Sequence, residues 1–391
     1  MRIGNREIGL NHPPYIIAEI GVNHDGDVQR ALSLTDAAAD AGADAIKLQF
    51  FETDRLMSKA AKLAAYQKNA GETDPIEMLR RLELTIDDMA MVVERAHSKS
   101  IHAIVTVFSK ELVPIAETLP WDAYKTASPD IVNYPLIEAL IETGKPLIIS
   151  TGACERHEVG DLYFSLIEHP DRYAFLQCVS SYPTPPEKAS LASMHDVPDE
   201  FFLCGGAIGY SDHTAETDTG AVAASIGANV LEKHLTDNRS AKGPDHAASL
   251  EPEEFAQYVR LAKNAPKPPT TIRSERVFGI PLWKRKWTVI DQAKIEHMSK
   301  DDSRIGEINK QVQDCEQDVR TVARQSVVST QDIPANTTLT RDMLTIKRPG
   351  TGILACEFES VIGCTTAQPI EADVPINPQD LIQFEPSLAR M

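Results

Sequence analysis

The sequence predicts an α/β fold, a (β/α)8 TIM-type barrel followed by a small β-rich C-terminal domain. From Tyr15 to about Lys263, eight short apolar runs alternate with helical patterns in which apolar residues recur every three or four positions. This alternation is typical of a parallel sheet covered on both faces, and eight units in roughly 250 residues match a closed barrel. An open doubly wound sheet is the alternative. It is less favoured because GVNHDGD (21–27) lacks the spacing of a dinucleotide-binding turn.

The apolar runs and helical patterns give the order of the elements. The predicted strands are 15–21, 43–51, 102–109, 123–128, 146–151, 173–181, 205–212 and 229–236. Predicted helices include 28–42, 86–100, 134–144 and 217–228. Two of these helices run into a glycine, Gly42 and Gly227, which is a common C-terminal stop.

The pattern changes after a Pro-rich break near residue 265. We therefore predict three parts: a barrel over 1–265, an insert over 266–319, and a β-rich domain of short strands and turns over 320–391. Within the insert, apolar residues spaced at three, four and seven positions predict an amphipathic helix across 293–319. The run 276–290 before it holds two of the three tryptophans and a KRK cluster, and we expect it to pack in a core or interface.

Composition excludes some functions. The chain has 391 residues, and 39 basic against 57 acidic side chains give a net charge of −18, which argues against general nucleic-acid binding. The longest apolar stretches fall short of the ~18 residues that a membrane span needs. The N-terminus has no apolar leader, and six cysteines without a CxxC pair indicate reduced thiols, so we expect a cytoplasmic protein.

Polar residues gather where the predicted strands end, which is where parallel barrels carry their chemistry. Lys47 and Lys125, together with hydroxyls on neighbouring strands, predict an anion pocket, because phosphate and carboxylate groups bind cationic and neutral donors. The alternative is that these lysines are merely solvated.

Three further strand-end residues could carry catalysis. His213 and His234 fall at equivalent depth on neighbouring strands and could share one divalent ion, Mn²⁺, Co²⁺ or Mg²⁺, with open positions for water and substrate. Alternatively, they are hydrogen-bonded core histidines. Glu19 is the candidate general acid or base, and its alternative role is to pair with Lys47 or Lys125.

Several segments, in order along the chain, resemble the sialic acid synthase family, which includes N-acetylneuraminate, legionaminate and pseudaminate synthases. They include AEIGVNHDG (18–26), GADAIKLQFF (42–51), YKTASPDIVNYPLI (124–137), LQCVSSYPTP (176–185), IGYSDHT (208–214), GANVLEKHLTD (227–237) and GPDHAASLEPEEF (243–255). The tail, SVVSTQDIPANTTLTRDMLTIKRPGTGI (326–353), resembles the family's antifreeze-like (SAF) domain.

The resemblance implies a metal-dependent transferase that condenses phosphoenolpyruvate with an N-acetylated hexose and water, giving a nine-carbon 2-keto sugar acid and phosphate. By similarity, His213 and His234 would hold Mn²⁺ or a similar ion. The residues expected to bind phosphoenolpyruvate are Lys47, Thr106, Lys125, Ser128, Ser150 and Ser211. The residues expected near the sugar or the reacting atoms are Glu19, Gln49, Asp130, Ser180, Tyr182 and Asp245.

The family also implies a domain-swapped homodimer, in which an arginine of the SAF domain reaches the sugar in the partner's barrel. Arg324 is the expected equivalent here, and Arg320 is the alternative. The insert would then brace the dimer or dock another protein, unless it is a loosely attached surface helix. Two other functions stay open: another phosphoenolpyruvate- or aldehyde-utilising barrel aldolase, such as a Schiff-base enzyme, and a non-catalytic carbohydrate-binding or scaffold protein.

Overall fold

Eight parallel strands close into a barrel, as the sequence predicts. The computed structural model describes residues 1–166, 168–197, 201, 205–273 and 287–386. Each barrel strand pairs in parallel with the next, and the eighth pairs with the first. The strands are β1 (Tyr15–Glu19), β2 (Ala45–Phe50), β3 (His102–Val107), β4 (Ala123–Thr126), β5 (Leu147–Ser150), β6 (Tyr173–Cys178), β7 (Ala207–Asp212) and β8 (Val230–His234).

Helices cover the outside of the barrel. Those in the barrel region are α1 (Val28–Asp40), α2 (Thr53–Leu56), α3 (Ala65–Asn69), α4 (Pro75–Arg80), α5 (Ile86–Ser98), α6 (Val113–Ala116), α7 (Tyr134–Glu142), α8 (Arg156–Ser165), α9 (Thr219–Ser225) and α10 (Pro252–Lys263). Gly42 and Gly227 follow α1 and α9 with φ of +85° and +114°, the left-handed backbone that favours glycine after a helix. Both predicted helix stops are confirmed.

An apolar layer closes the amino-terminal end of the barrel. Inward side chains such as Tyr15, Ile104 and Ile148 form this layer, and Ile3 and Ile8 from the N-terminal hairpin (Arg2–Ile3 and Arg6–Glu7) pack beneath it. Two or four residues further along the strands the inward side chains are polar, as Thr106 is after Ile104 and Glu19 after Tyr15. The polar layer described below therefore rests on an apolar floor and opens only toward the carboxyl ends of the strands.

The prediction of one continuous amphipathic helix over 293–319 is wrong. After the strands β9 (Thr270–Arg273) and β10 (Trp287–Ile290), helix α11 covers only Gln292–Met298, and the next helix, α12, covers Gln317–Ala323. Between them the chain turns, because Asp302 accepts hydrogen bonds from the backbone N–H and guanidinium of Arg304, and Gly306 has φ of +63°. The KRK cluster and Trp283, for which the sequence predicts packing in a core or interface, lie outside the described residues.

The C-terminal domain has its own core. Its strands are β11 (Ser326–Ser329), β12 (Leu344–Lys347), β13 (Thr365–Thr366) and β14 (Leu381–Ile382), with helix α13 at Phe358–Val361. Val327, Leu339 and Ile376 lie at the centre of its apolar cluster. The domain boundaries given above stay predictions. In the described part of the chain, no helix is long and apolar enough to cross a membrane.

Candidate active site

The register of the barrel brings the polar residues of six strands to one layer. Directly paired positions include Glu19 with Lys47, Gln49 with Thr106, and Ser211 with Glu232. Twelve of the fifteen residues predicted for the site line the same pocket at the carboxyl end of the barrel. They are Glu19, Lys47, Gln49, Thr106, Lys125, Ser128, Ser180, Tyr182, Ser211, His213, His234 and Asp245.

A buried charge cluster lies at the centre of this layer. The Lys47 ammonium pairs with Glu19 and lies 3.2 Å from Glu232, and the Lys125 ammonium lies 3.2 Å from the other oxygen of Glu232. All four side chains are at most 6 % exposed. The ion pair between Glu19 and Lys47, the alternative role considered for Glu19, is therefore present. A buried pair in a pocket does not exclude proton transfer, so both roles are compatible.

Burial and charge set different protonation for the two carboxylates. Burial raises the pKa of Glu19 to about 7, although Lys47 opposes the rise. Burial also acts to raise the pKa of Glu232, but Lys125 and Lys47 lower it well below its usual range. Glu232 is thus a permanent anion that holds the two lysines, whereas Glu19 exchanges a proton near neutral pH.

Hydroxyl groups surround the lysines. The Lys47 ammonium donates to Thr106 Oγ1 at 3.3 Å, Ser211 Oγ donates to Glu232 Oε1 at 2.9 Å, and Ser128 Oγ accepts from the backbone N–H of Gly152 at 2.9 Å. Ser150 is fully buried at the end of β5, but it does not line the pocket. The contact of Ser150 with an anion stays a prediction.

Two histidines and a tyrosine form one side of the pocket. The ring centroids of His213 and His234 lie 5.4 Å apart, and the Tyr182 ring lies 4.1 Å from His213. His213 Nδ1 lies 2.8 Å from the Val179 carbonyl, a hydrogen bond that leaves Nε2 as its ligand atom. Burial lowers the pKa of His234 well below its usual value, which keeps this imidazole neutral.

This donor set fits an open metal site. Among the residues that the structure describes, no three His, Cys, Asp or Glu side chains form a ready cluster for a metal ion. The imidazoles of His213 and His234 could supply two protein donors, and water or substrate oxygens would complete the coordination shell. Asp245 lies 3.6 Å from His234 Nδ1, where it can orient that ring.

Arg348 is a pocket residue that sequence reasoning missed. It follows β12, lies over the Phe108 ring at 5.3 Å, and reaches the pocket from the C-terminal domain. Its backbone carbonyl accepts from the backbone N–H of Ser58 at 3.0 Å, which joins the domain to the loop after α2. The sequence signal that could have identified Arg348 is its position as a cationic residue directly before the Pro349-Gly350 turn.

Arg324 does not line the pocket of its own chain, and its predicted contact with the sugar in the partner's barrel stays a prediction. Its guanidinium pairs with Glu158 at 2.6 and 2.8 Å, and the side chain is 3 % exposed. Arg320, the alternative, binds the same carboxylate at 3.0 and 3.1 Å. Both arginines thus bind one carboxylate, that of Glu158 on helix α8.

Asp130 also lies outside the pocket wall. It is fully buried, and its Oδ1 accepts from Gln325 Nε2 at 3.1 Å. Burial raises its pKa to about 7, and the Arg348 charge opposes this rise. Asp130 therefore supports the contact between barrel and C-terminal domain from behind the pocket.

Glu232 was the second omission. The sequence places it on the predicted eighth strand two residues before His234, and residues two apart on a strand share a face. The period of two would therefore have assigned Glu232 to the pocket together with His234. Lys233, on the opposite face, instead pairs with Asp212 at 3.3 Å outside the barrel.

Comparisons with known proteins agree with this architecture. The NeuB family model matches residues 34–270 and the SAF domain model matches residues 324–382. The chain is 32 % identical over 376 residues to the N,N'-diacetyllegionaminic acid synthase of Legionella pneumophila, covering 94 % of this chain and 95 % of that protein. It is 31 % identical to the N-acetylneuraminate-9-phosphate synthase of Mus musculus, covering 88 % and 85 %.

A solved structure shares the whole fold. The spore coat polysaccharide biosynthesis protein spsE of Bacillus subtilis superposes with a TM-score of 0.76 at 24 % identity, covering 98 % of this chain and 99 % of that one. The N-acetylneuraminic acid synthetase of Leptospira borgpetersenii superposes with a TM-score of 0.59 at 30 % identity, covering 68 % and 88 %. Barrel, C-terminal domain and strand-end residues thus agree with one assignment: this chain belongs to the NeuB family of sialic acid synthases.

Proposed function

We propose that the protein condenses phosphoenolpyruvate with an N-acetylated hexose such as N-acetylmannosamine, with water, to a nine-carbon 2-keto sugar acid and phosphate. The observation that carries the proposal is the placement of Lys47 and Lys125 beside Glu19 and the two histidines in one pocket. The pocket offers two buried cations to an anionic substrate and a carboxyl group that titrates near neutral pH.

The lysines would bind and orient phosphoenolpyruvate. Glu232 holds both ammonium groups, so they are fixed before the substrate arrives. Thr106, Ser128 and Ser211 add hydroxyl donors to the phosphate or carboxylate oxygens. Phosphoenolpyruvate is already an activated enol, so neither lysine has to form a Schiff base.

The bond changes follow from the substrates. The enol carbon of phosphoenolpyruvate attacks the aldehyde carbon of the open-chain sugar, and the aldehyde oxygen takes up a proton. Water adds to the carbon that bears the phosphate, and the bond between that carbon and the phosphate oxygen then breaks. Glu19 removes the proton of this water at its carboxyl oxygen, since its pKa of about 7 leaves it partly ionised at neutral pH.

We also propose that His213 and His234 hold a divalent ion, Mn²⁺ first and Co²⁺ or Mg²⁺ next. Bound there, such an ion supplies a Lewis acid that makes the aldehyde carbon more electrophilic. His213 is oriented for this role by the Val179 carbonyl. The homodimer and the cytoplasmic location expected from the sequence stay predictions.

The pocket wall above the lysines bears on the sugar. Phe51, Leu56, Met78, Leu79 and Leu82 form an apolar side, and Arg348 and Tyr66 add polar tips. An apolar side of this size suits the methyl group of an N-acetyl substituent, and the polar tips suit sugar hydroxyls.

One experiment tests the reaction. The protein is incubated with phosphoenolpyruvate, Mn²⁺ and a panel of N-acetylated hexoses, and phosphate release and the mass of the keto acid are recorded. Phosphate release that requires both substrates, with a nine-carbon product, supports the proposal. Phosphate release without a sugar, or none with any sugar of the panel, contradicts it.

A Schiff-base aldolase is the second candidate, and one observation favours it. Burial lowers the pKa of Lys125, as in lysines that form imines with carbonyl substrates. Borohydride reduction in the presence of pyruvate would trap such an imine as a stable mass increase on Lys125. We expect no trapping, because Glu232 stabilises the charged ammonium at 3.2 Å.

A further inference from the structure

We infer that Asn23 is a positioning residue: through Ser249 it holds the loop after β8 (residues 235–250, the β8 loop), so that Asp245 faces His234 in the pocket. Asn23 itself does not line the pocket, and its effect reaches the site through the backbone of this loop. This role deepens the proposed function and rests on it for the kinetics, whereas the hold on the loop can be measured without any activity.

Asn23 lies in the turn GVNHDGD (21–27) that follows β1. Its side chain is buried, and Nδ2 donates to the Leu235 carbonyl at 2.9 Å and to Ser249 Oγ at 2.8 Å. A backbone carbonyl can only accept, so the contact with Leu235 fixes which end of the amide faces the loop. Both N–H bonds of the Asn23 amide are therefore used to hold the two ends of the β8 loop.

Ser249 links Asn23 to the residue that lines the pocket. Its Oγ accepts from Asn23 and donates to the Asp245 carbonyl at 2.7 Å, and the backbone N–H of Ala248 donates to the same carbonyl at 3.2 Å. These hydrogen bonds hold Asp245 by its backbone. The direction of its carboxylate toward His234 Nδ1, 3.6 Å away, therefore depends on where the loop lies.

The contact with Leu235 holds the other member of this pair. Leu235 directly follows His234 at the end of β8, and its backbone N–H donates to the Glu19 carbonyl at 2.9 Å. One amide thus binds the strand end that carries His234 and the loop that carries Asp245. Since both partners are buried, water does not replace these bonds, and Asn23 sets how the two pocket side chains lie relative to each other.

The same turn contacts the β8 loop at a further point. His246 is buried next to Asp245, its Nδ1 lies 2.8 Å from Thr236 Oγ1, and its Nε2 lies 3.3 Å from Asp25 Oδ1. Asp25 belongs to the same turn as Asn23, so this turn holds the loop at three points along its length. A catalytic constellation needs such support, because a small displacement of a pocket group lowers the rate strongly.

Amide hydrogen exchange tests the hold on the loop without any activity. Asn23→Ala removes both donors. Asn229→Ala is the matched control, because it removes a buried amide whose Nδ2 donates to the Gly227 carbonyl at 3.2 Å, before β8 begins. We expect peptides within 235–250 to exchange about 10-fold faster in Asn23→Ala than in the wild type, as for the loss of two hydrogen bonds, and not in the control. Equal exchange of this loop in both variants overturns the inference.

Kinetics distinguish positioning from a general loss of stability. Asn23→Ala should lower kcat about 10- to 100-fold with little change in the KM for phosphoenolpyruvate, as expected for a displaced pocket group, whereas Asn229→Ala should keep the wild-type kcat. In an Asp245→Ala background, Asn23→Ala should lower kcat by less than about 2-fold, because the group that it positions is already absent. The same loss of kcat in both backgrounds overturns the inference.

Ser249→Ala is the milder variant, and it decides if Asn23→Ala does not fold. It removes the link to the Asp245 carbonyl but leaves the contact of Asn23 with Leu235. Exchange within 245–250 should rise and kcat should fall, both in the same direction as for Asn23→Ala, and wild-type values of both overturn the inference. If the wild type condenses no substrates, the proposed function fails, but the exchange rates still decide whether Asn23 holds the loop.

Discussion

Arg324 grips Glu158 with both terminal nitrogens: Nη1 lies 2.6 Å from Oε1 and Nη2 lies 2.8 Å from Oε2. Both side chains are buried, so water does not screen the pair. A bidentate contact between a guanidinium and a carboxylate fixes orientation as well as distance. The pair therefore fixes how the chain passes from helix α12 into the C-terminal domain, and Arg324, which does not line the pocket, acts on it only through this position.

Removing the carboxylate should destabilise the protein strongly. Glu158→Ala leaves the Arg324 charge buried without its partner, and breaking a buried pair in this way costs about 3–5 kcal/mol. Denaturant unfolding measures the change, and Glu168→Ala, at an exposed position after α8, is the matched control. A loss no larger than that of the control would show that the buried pair does not stabilise the protein.

The same pair predicts loss of stability in acid. Burial acts to raise the pKa of Glu158, but Arg324 and Arg320 hold it at about 2, below its ordinary value of 4.5. A lowered folded-state pKa gives a stabilisation that is complete above pH 4.5 and disappears as the pH falls toward 2. Between these values the wild type should lose more unfolding free energy than Glu158→Gln, measured with denaturant at each pH. Parallel curves for the two proteins would refute the assignment.

Arg348, by contrast, should act on substrate binding. It lines the pocket and packs on Phe108, so Arg348→Ala removes a charged donor from the sugar side. Loss of a hydrogen bond from a charged group costs about 1.5–3 kcal/mol, so the KM for the sugar should rise roughly 10- to 100-fold with little change for phosphoenolpyruvate. Arg324→Ala controls for stability. Equal changes in both KM values for Arg348→Ala would place this residue elsewhere.

The two arginines show what the sequence could and could not predict. The local spacing of apolar residues predicted the eight strands. The positions of the strand ends then located Lys47, Lys125 and both histidines, because a parallel barrel brings the carboxyl ends of its strands together. Which arginine reaches the pocket depends on how the C-terminal domain docks. That docking depends on Glu158, which lies more than 150 positions before either arginine in the sequence and carries no local signal.

The prediction of a helix in the insert failed for a related reason. Its apolar residues have helical spacing, but Asp302 and Gly306 favour turns, and the side chains find partners on the barrel instead of on a helix. Ile305 is buried against the barrel while its neighbours turn. Tertiary contacts thus override a short periodic pattern whose own helical tendency is weak.

Glu19→Gln should reduce turnover far more than binding. A positioned general base contributes about 10²- to 10⁴-fold, so kcat should fall by that order while the KM for phosphoenolpyruvate changes little. Because burial raises the pKa of Glu19 to about 7, wild-type activity should rise as the pH increases through that value, where the carboxyl loses its proton. The variant should lack this step. Glu94→Gln, on the exposed side of α5, controls for the loss of a surface charge.

Metal binding can be measured apart from turnover. If His213 and His234 are the protein ligands, the wild type should bind about one Mn²⁺ per chain in calorimetry or by electron paramagnetic resonance, as expected for an open site of two imidazoles. His213→Ala and His234→Ala should each weaken binding about 10-fold or more, whereas His195→Ala, which removes a buried histidine outside the pocket, should not. EDTA should abolish activity and Mn²⁺ restore it. Equal Mn²⁺ affinity in the wild type and both pocket variants would place the ion elsewhere, and full activity in EDTA would remove it from the reaction.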